Sequence, residues 1–266
     1  MNTYEIIKKS ISLPFRAYKG FSLVIFLFFV SEMFADIVID LPIDDTAYFK
    51  FLSMLFVSMT ILGINIAIAY HYIYDSFNIR TVSIVTTTKV GVKDFLIESY
   101  YYSLAISGTV IISYLLGIYK DIDTALDTLI YLDHKLESMT LPKLLTYMSP
   151  KVYYQMAHSV IITLTIFIIL FAIFFSYCSI AKIRIKETGN IKESMNFINL
   201  TKIIMNKGIK KYLTFVILTF IVFAILLLLM KTLESYFFIG SVISAFSEAF
   251  ALFFILDSFS LFYRYS

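Results

Sequence analysis

Six long apolar segments constrain the fold of this chain more than any other feature of its sequence. The shortest contain 19 residues, and at about 1.5 Å per residue a helix of that length reaches roughly 28 Å, close to the thickness of the hydrocarbon layer. Lipid offers no hydrogen-bond partner to an open backbone, so each segment is predicted to be helical. The predicted membrane spans are residues 21–39, 49–74, 97–119, 157–180, 212–230 and 236–260.

The composition is typical of an integral membrane protein. The chain of 266 residues is 59% hydrophobic and 15% charged, whereas average soluble domains are about 45–50% apolar and about 25% charged. A soluble fold of this size could not bury so much apolar surface. Cys178 is the only cysteine, so no intramolecular disulfide can form. We therefore predict an all-α polytopic helical bundle, with residues 1–266 forming a single integral membrane domain.

The distribution of positive charge predicts the orientation of the six spans. Sixteen of the 22 Lys and Arg residues lie in the N-terminus, in the connections 75–96 and 181–211, and in the C-terminal tail. The connections on the other side hold six, together with Asp40, Asp44, Asp45, Asp121, Asp123, Asp127, Asp133 and Glu137. The positive-inside rule then places both termini in the cytoplasm of a multi-pass cell-membrane protein.

Similar stretches precede the first, third and fifth spans: RAYKGFSL (16–23), TKVGVKDFL (88–96) and NKGIKKYL (206–213). They indicate three repeats of a two-span hairpin, or simply the common preference of membrane interfaces for Lys, Gly and aromatic residues.

Capping residues predict an amphipathic helix before the first and the fifth span. The pairs are Asn2 with Glu5, and Asn190 with Glu193. In the second of these helices, one apolar face is predicted from Met195, Ile198 and Ile203. A further helix is predicted over 123–136, with an apolar face of Leu126, Leu129, Ile130 and Leu136.

Three stretches, at the start of the chain, after the fourth span and at the end, resemble a known family. They are IIKKSISLPFRAYKGF (6–21), SYCSIAKIRIKETGNIKESMNFINL (176–200) and LDSFSLFYRYS (256–266). They look like an archaeal family of uncharacterised multi-pass membrane proteins, catalogued as a domain of unknown function. The resemblance implies a multi-pass membrane protein from an archaeon. It carries over no catalytic residue, because that family has no assigned activity.

The candidate carboxylates within predicted spans are Glu32 and Asp36 in the first, and Glu248 in the middle of the sixth. An ionised carboxylate at the bilayer centre costs about 2.5–3.5 kcal/mol on insertion scales. No Lys or Arg lies deep in a predicted span, so we expect Glu248 to be protonated and to donate a hydrogen bond to a neighbouring helix. Two interpretations stay open, because these acids fit a proton or cation pathway and also fit hydrogen-bonded packing residues.

Beside Glu248, the small residues Ser241, Ala245 and Ala249 form a row that predicts close approach of another helix. That helix belongs to a monomeric bundle or to a homo-oligomer, and the row fits both.

The 181–211 connection is the second candidate region, with eight basic and two acidic residues. An amphipathic basic segment beside a bilayer is typical of contact with anionic lipid headgroups or with an acidic partner. The candidate contact residues are Lys182, Arg184, Lys186, Lys207, Lys210 and Lys211. The alternative is that these charges act only as a topology signal.

The sequence contains none of the motifs that would indicate an enzyme. HExxH, a Cys/His cluster, GxSxG and a P-loop are all absent, so we predict no catalytic residue, no metal and no cofactor. A separate basic domain for nucleic acid is absent as well. The leading prediction is a non-enzymatic membrane scaffold, or a protein that interacts with lipid or a partner. The alternative is a small transporter or channel for protons or cations.

Overall fold

The computed structural model describes residues 1–39, 47–74, 84–136, 145, 147–233 and 237–265. These residues form an all-α protein, and no strand occurs among them. The helices are α1 (Thr3–Arg16), α2 (Tyr18–Ile39), α3 (Ala47–Tyr74), α4 (Ile84–Leu115), α5 (Ile118–Leu136), α6 (Pro150–Thr188), α7 (Ile191–Ser194), α8 (Phe197–Lys207), α9 (Ile209–Leu233) and α10 (Phe237–Tyr265).

Five helices, α3, α4, α6, α9 and α10, are each long and apolar enough to cross a membrane. The pair α1 and α2, bent by 79° between Arg16 and Tyr18, passes the same criterion when it is taken as one span, which gives six. The chain is therefore a multi-pass membrane protein.

Several predicted span boundaries differ from the observed helices. Helix α4 begins at Ile84, well before the predicted residue 97, and α6 continues to Thr188, beyond the predicted residue 180. As a result, charged residues that flank these two predicted spans are part of the same continuous helices as the spans. The third span also ends before the predicted residue 119, because Gly117 takes a positive φ of 73° and separates α4 from α5.

The chain packs as two compact units. The first contains Met1–Ser99 and Ser176–Ser266, and the second contains Tyr100–Phe175. In the second unit, Tyr102 lies against Phe171, and the Ser159 hydroxyl donates a hydrogen bond of 2.9 Å to Asp121 of α5. Both units are helical, and the candidate sites described below lie in the first.

Helix α10 lies at the centre of the first unit. It contacts α1, α2, α3 and α9, and 56% of its apolar segment is buried, compared with 11–28% for the other four spans. Ala245 and Ala249 are fully buried, as the row of small residues predicts. Phe21 of α2 packs edge-on against Phe246 and Phe253, with ring centroids 5.3 and 5.8 Å apart. Small residues beside large rings thus let neighbouring helices approach α10 closely.

The predicted capping box of α1 is present. The Asn2 side chain accepts a hydrogen bond from the Glu5 backbone N–H at 2.8 Å, and the Glu5 carboxylate accepts one from the Asn2 N–H at 3.0 Å. The inner face of the helix buries Ile6, Ile7 and Leu13, and α1 packs against α9 and α10. Helix α1 is therefore a separate interfacial helix, firmly attached to the bundle.

The amphipathic helix predicted from Asn190 is interrupted. Asn190 caps only the short α7, and a second cap at Asn196 starts α8. The interruption changes the helical phase, so α8 buries Leu200 and Ile204, while Ile198 of the predicted apolar face is 67% exposed. The predicted face was wrong for this reason. The helix predicted over 123–136 is present as the later part of α5, although Leu126 and Ile130 are exposed.

Helices α3 and α4 cross at two glycines. A Cβ atom on Gly63 would collide with the carbonyl oxygen of Thr87, and one on Gly91 would collide with that of Met59. The hydroxyls of Thr60 and Thr88 share a hydrogen bond of 2.9 Å beside the crossing. The two backbones touch here because neither helix carries a side chain between them.

Substitution of Gly91 by Ala should destabilise the protein by about 1–3 kcal/mol, because backbone atoms cannot move aside as a flexible side chain does. Gly108→Ala is the matched control. Its added methyl group would meet only the end of the Leu170 side chain at 3.0 Å, and it gains helix propensity. Thermal unfolding in detergent measures both variants. Equal melting temperatures for the two would contradict the tight crossing.

Candidate functional site

A buried ion cluster joins α4 to α6. The Lys182 Nζ lies 2.7 Å from Asp94 Oδ2 and 2.5 Å from Glu98 Oε1. Asp94 and Glu98 are four residues apart on α4, so their side chains share one face of that helix. The Lys182 and Asp94 side chains are only 13% and 8% exposed. The charge of Lys182 is thus neutralised within the protein.

Helix α3 completes this cluster. The Tyr70 hydroxyl donates a hydrogen bond of 3.3 Å to the backbone carbonyl of Lys182. Tyr70 is itself buried. Three helices therefore meet at Lys182, and the cluster fixes their relative positions rather than leaving a reactive group free.

A cavity of about 190 Å³ lies beside the ion cluster, between α3, α4 and α6. Its walls are mostly apolar, but they also carry three lysines and one aspartate. The lining residues are Ile66, Ala67, Tyr70, Val90, Lys93, Asp94, Lys182, Ile185 and Lys186. An apolar cavity with a few convergent charged groups is the usual form of a small-ligand site.

Lys186 lies one helical turn beyond Lys182 and contacts two tyrosines of α3. Its Nζ is 4.0 Å from the ring centroid of Tyr70 and 3.9 Å from that of Tyr74. The buried ammonium group has no hydrogen-bond acceptor among the described residues. Cation–π contacts of this kind stabilise a cation without neutralising it. Lys186 consequently keeps its positive charge at the cavity wall.

The end of α10 joins the same group of side chains. The Arg264 guanidinium lies over the Tyr74 ring, with its Cζ 4.0 Å from the centroid. The Ser260 hydroxyl donates a hydrogen bond of 3.1 Å to the Tyr74 hydroxyl. We call Tyr70, Tyr74, Lys186 and Arg264 the tyrosine–cation cluster. It links α3, α6 and α10 at one end of the first unit.

The remaining predicted basic residues have different surroundings. Arg184 forms a long ion pair of 4.0 Å with Glu193. Lys210 is exposed, and Lys207 and Lys211 are partly exposed, around the turn at Gly208 between α8 and α9. The six predicted contact residues therefore form two groups, one along α6 and one at this turn.

Helix α8 is held on the bundle by its first turns. The rings of Phe197 and Tyr177 stack with centroids 4.4 Å apart. The Tyr177 hydroxyl shares a hydrogen bond of 3.0 Å with Thr201. Leu200 and Ile204 are buried on the same side. The opposite side of α8 remains exposed.

Two of the three predicted intramembrane acids come together. Glu32 of α2 and Glu248 of α10 line a cavity of about 280 Å³, which Ser31 and Ser58 also line. The hydrogen bond predicted for Glu248 is absent among the described residues. The side chain of Asp36 lies outside the described part of the chain.

Two more polar groups are buried in the first unit. Asn65 of α3 is fully buried, and its amide makes no hydrogen bond among the described residues. Asp257 of α10 is 5% exposed and lies beside Ser10 of α1, with Lys9 and Arg16 near enough to interact electrostatically. Asp257 is thus placed at the contact between α1 and α10.

Sequence reasoning missed Asp94, Glu98, Tyr70, Tyr74 and Arg264 as site residues. The available signal was the pair of acids four apart in KDFLIES (93–99), at the start of the third predicted span, and Lys182 just after the fourth. Neighbouring antiparallel spans place such residues at the same depth. No group of three His, Cys, Asp or Glu side chains suited to a metal occurs in the part of the chain that the structure describes.

Comparison of the chain with family models, with curated proteins and with solved structures finds no match.

Replacing Lys182 with Met should destabilise the protein by about 3 kcal/mol, because the buried Asp94 carboxylate and the partly exposed Glu98 carboxylate would be left without a cation. Combining Lys182→Met with Asp94→Asn and Glu98→Gln should recover much of that loss. Lys192→Met, on the exposed α7, is the matched control and should change little. Thermal unfolding in lipid nanodiscs measures all three variants. A triple variant no more stable than Lys182→Met alone would contradict the ion cluster.

Proposed function

We propose that this protein is a non-enzymatic integral membrane protein whose basic end binds the anionic headgroup layer of a membrane. The basic end is defined here as α1, the last turns of α3, α6 and α10, and the segment from α7 to the start of α9. The observation that carries the proposal is the two-sided character of α8. One side is buried on the bundle, and the other combines exposed apolar side chains with lysine.

The exposed side of α8 has the spacing of a helix that lies flat in a membrane interface. Ile198 and Met205 are seven residues apart, on nearly the same face, and are 67% and 63% exposed. Lys202 lies between them and is exposed too. Apolar side chains next to lysines allow a helix to enter the headgroup region while its ammonium groups reach lipid phosphates.

Helix α1 has the same two-sided construction. Its inner face is buried against α9 and α10, whereas Tyr4 and Phe15 are 69% and 60% exposed on the outer side. Lys8 lies between these two along the helix and is exposed. Two separate helices at one end of the first unit therefore carry the same combination of apolar and basic groups, which supports a lipid-facing role.

The turn between α8 and α9 concentrates positive charge next to this surface. Gly208 has a φ of 91°, a backbone conformation that suits glycine, and Lys207, Lys210 and Lys211 surround it. Each Lys close to an anionic membrane contributes about 1 kcal/mol. By the positive-inside rule, we place this end and both termini at the cytoplasmic side of the cell membrane. The resemblance to the archaeal family of unknown function stays a prediction.

Replacing Lys207, Lys210 and Lys211 together with Gln should lower the number of phosphatidylglycerol molecules that the protein retains. We expect at least a tenfold weaker preference over phosphatidylcholine, since three contributions of about 1 kcal/mol are removed. Native mass spectrometry of protein released from mixed-lipid nanodiscs gives the retained lipids. The preference of the wild type should also fall as salt concentration rises.

The matched control replaces Lys120 and Lys151, which are exposed residues of the second unit, with Gln. This change removes positive charge from the opposite predicted side and should leave the preference intact. An unchanged, salt-independent preference in the Lys207, Lys210 and Lys211 variant would remove the basis of the proposal.

A second candidate function is movement of protons or cations. It is favoured by the cavity that brings Glu32 and Glu248 together from two helices, beside the hydroxyls of Ser31 and Ser58. Acids inside membrane spans are rare and mark ion or proton paths in many transporters. Carboxylate and hydroxyl oxygens in one cavity can coordinate a cation, and they can also pass a proton from one group to the next.

Glu248→Gln tests this candidate because it removes the ionisable group and keeps the shape of the side chain. Proton and cation flux into proteoliposomes should be lost in Glu248→Gln if the cavity is part of a pathway. Ser244→Ala, one helical turn earlier on α10, is the control for packing. Absence of flux in the wild type, with equal or greater stability of Glu248→Gln, would assign the acid to packing.

A further inference from the structure

We propose that the cavity between α3, α4 and α6 is a discrete site for a phosphate-bearing anion, namely the headgroup of an acidic phospholipid. This proposal deepens the proposed function, on which it rests for the membrane setting, but it uses other lysines. The headgroup phosphate would lie between Lys186 and Lys93, and the first carbons of the lipid would follow the apolar wall.

The first argument is the state of Lys186. Its ammonium group is buried and has no hydrogen-bond acceptor among the described residues. The rings of Tyr70 and Tyr74 at 4.0 and 3.9 Å hold it in place, yet they provide no formal negative charge. A buried donor without an acceptor is unfavourable. A phosphate oxygen arriving from the adjoining cavity would supply both the acceptor and the charge.

The second argument is the charge balance of the cavity wall. Three lysines and one aspartate line the cavity. Asp94 is already bound to Lys182 at 2.7 Å, and Glu98 accepts from the same ammonium group. These ion pairs direct the carboxylates toward Lys182. Lys93 and Lys186 therefore remain available to an anion, and Arg264 adds positive potential through its place over Tyr74.

The third argument separates a lipid from a free phosphate. Four of the lining residues, Ile66, Ala67, Val90 and Ile185, are apolar. A free phosphate ion would leave this surface uncovered, whereas the glycerol and first acyl carbons of a lipid would bury it. A volume of about 190 Å³ is also many times that needed for a single water molecule. The mixed wall thus matches an amphipathic anion.

The test uses full-length protein in a neutral detergent and measures its thermal unfolding during titration with short-chain phosphatidic acid. Short-chain phosphatidylcholine and glycerol 3-phosphate are the comparison ligands. A ligand that binds only the folded state raises the melting temperature in a saturable way. We expect this for phosphatidic acid, a much smaller effect from glycerol 3-phosphate, and none from phosphatidylcholine.

Two variants test the site itself. Lys186→Gln removes the unpaired cation and should weaken phosphatidic acid binding about tenfold or more, as expected for loss of a charge-assisted hydrogen bond. Val90→Phe keeps every charge but fills the cavity, and it should abolish saturable binding. Lys186→Arg retains the charge and the ring contacts and should restore most of the affinity. Lys210→Gln, at the α8–α9 turn, should bind as the wild type does.

The outcomes separate this site from the proposed function. If Lys186→Gln and Val90→Phe both bind phosphatidic acid like the wild type, the site is overturned, and the lipid preference due to Lys207, Lys210 and Lys211 still stands. If glycerol 3-phosphate binds as tightly as phosphatidic acid, the lipid assignment is overturned in favour of a soluble phosphate ester. Binding lost only in the variants of the α8–α9 turn would likewise overturn the cavity site.

Discussion

An ammonium group within a low-dielectric helix bundle is stable only when an anion lies beside it, and Lys182 meets this requirement with Asp94 and Glu98. The consequence is geometric. Because Lys182 lies near the C-terminal end of a continuous α6, and both acids are on one face of α4, the ion cluster sets the rotation of both helices. The Tyr70 hydrogen bond to the Lys182 carbonyl then fixes α3 against them. The adjoining cavity exists because these three helices are held at this distance.

The same requirement explains the aromatic residues at the basic end. The two carboxylates of the ion cluster pair with Lys182 and not with Lys186 or Arg264. Lys186 and Arg264 instead lie over the Tyr74 ring. A tyrosine ring attracts cations through its quadrupole and still presents an apolar edge to lipid. Such residues allow the cations at the ends of α6 and α10 to pack against α3. Under the proposed function, the cations of this cluster lie near anionic headgroups.

Sequence reasoning predicted the features that depend on composition and local chemistry. It gave the all-α class, the location of the spans, the capping box at Asn2 and the burial of Ala245 and Ala249. It missed features that depend on two distant segments meeting. Gly63 and Gly91 form no GxxxG motif, because each glycine lies on a different helix. Lys182 was assigned to a connection because hydropathy falls there, although the helix continues. Helix α8 starts with a different helical phase because Asn196 caps its first turn, which the apolar periodicity of the sequence does not show.

Charged side chains in the described part of the chain have two different kinds of surroundings, and the difference bears on their roles. At Lys182 the charges are paired within 2.7 Å, so they hold helices together and have little left to offer a ligand. Glu32 and Glu248, the latter exposed, line a common cavity together with Ser31 and Ser58, and the Lys186 ammonium group has no hydrogen-bond acceptor among the described residues. Stability alone favours pairing such groups or replacing them with apolar residues. Charged groups that the fold leaves without a counter-charge are therefore the strongest candidates for binding something from outside the chain. Lys186 adjoins a cavity at the basic end, where the proposed function provides anionic lipid, which makes Lys186 a clearer candidate than the pair of Glu32 and Glu248.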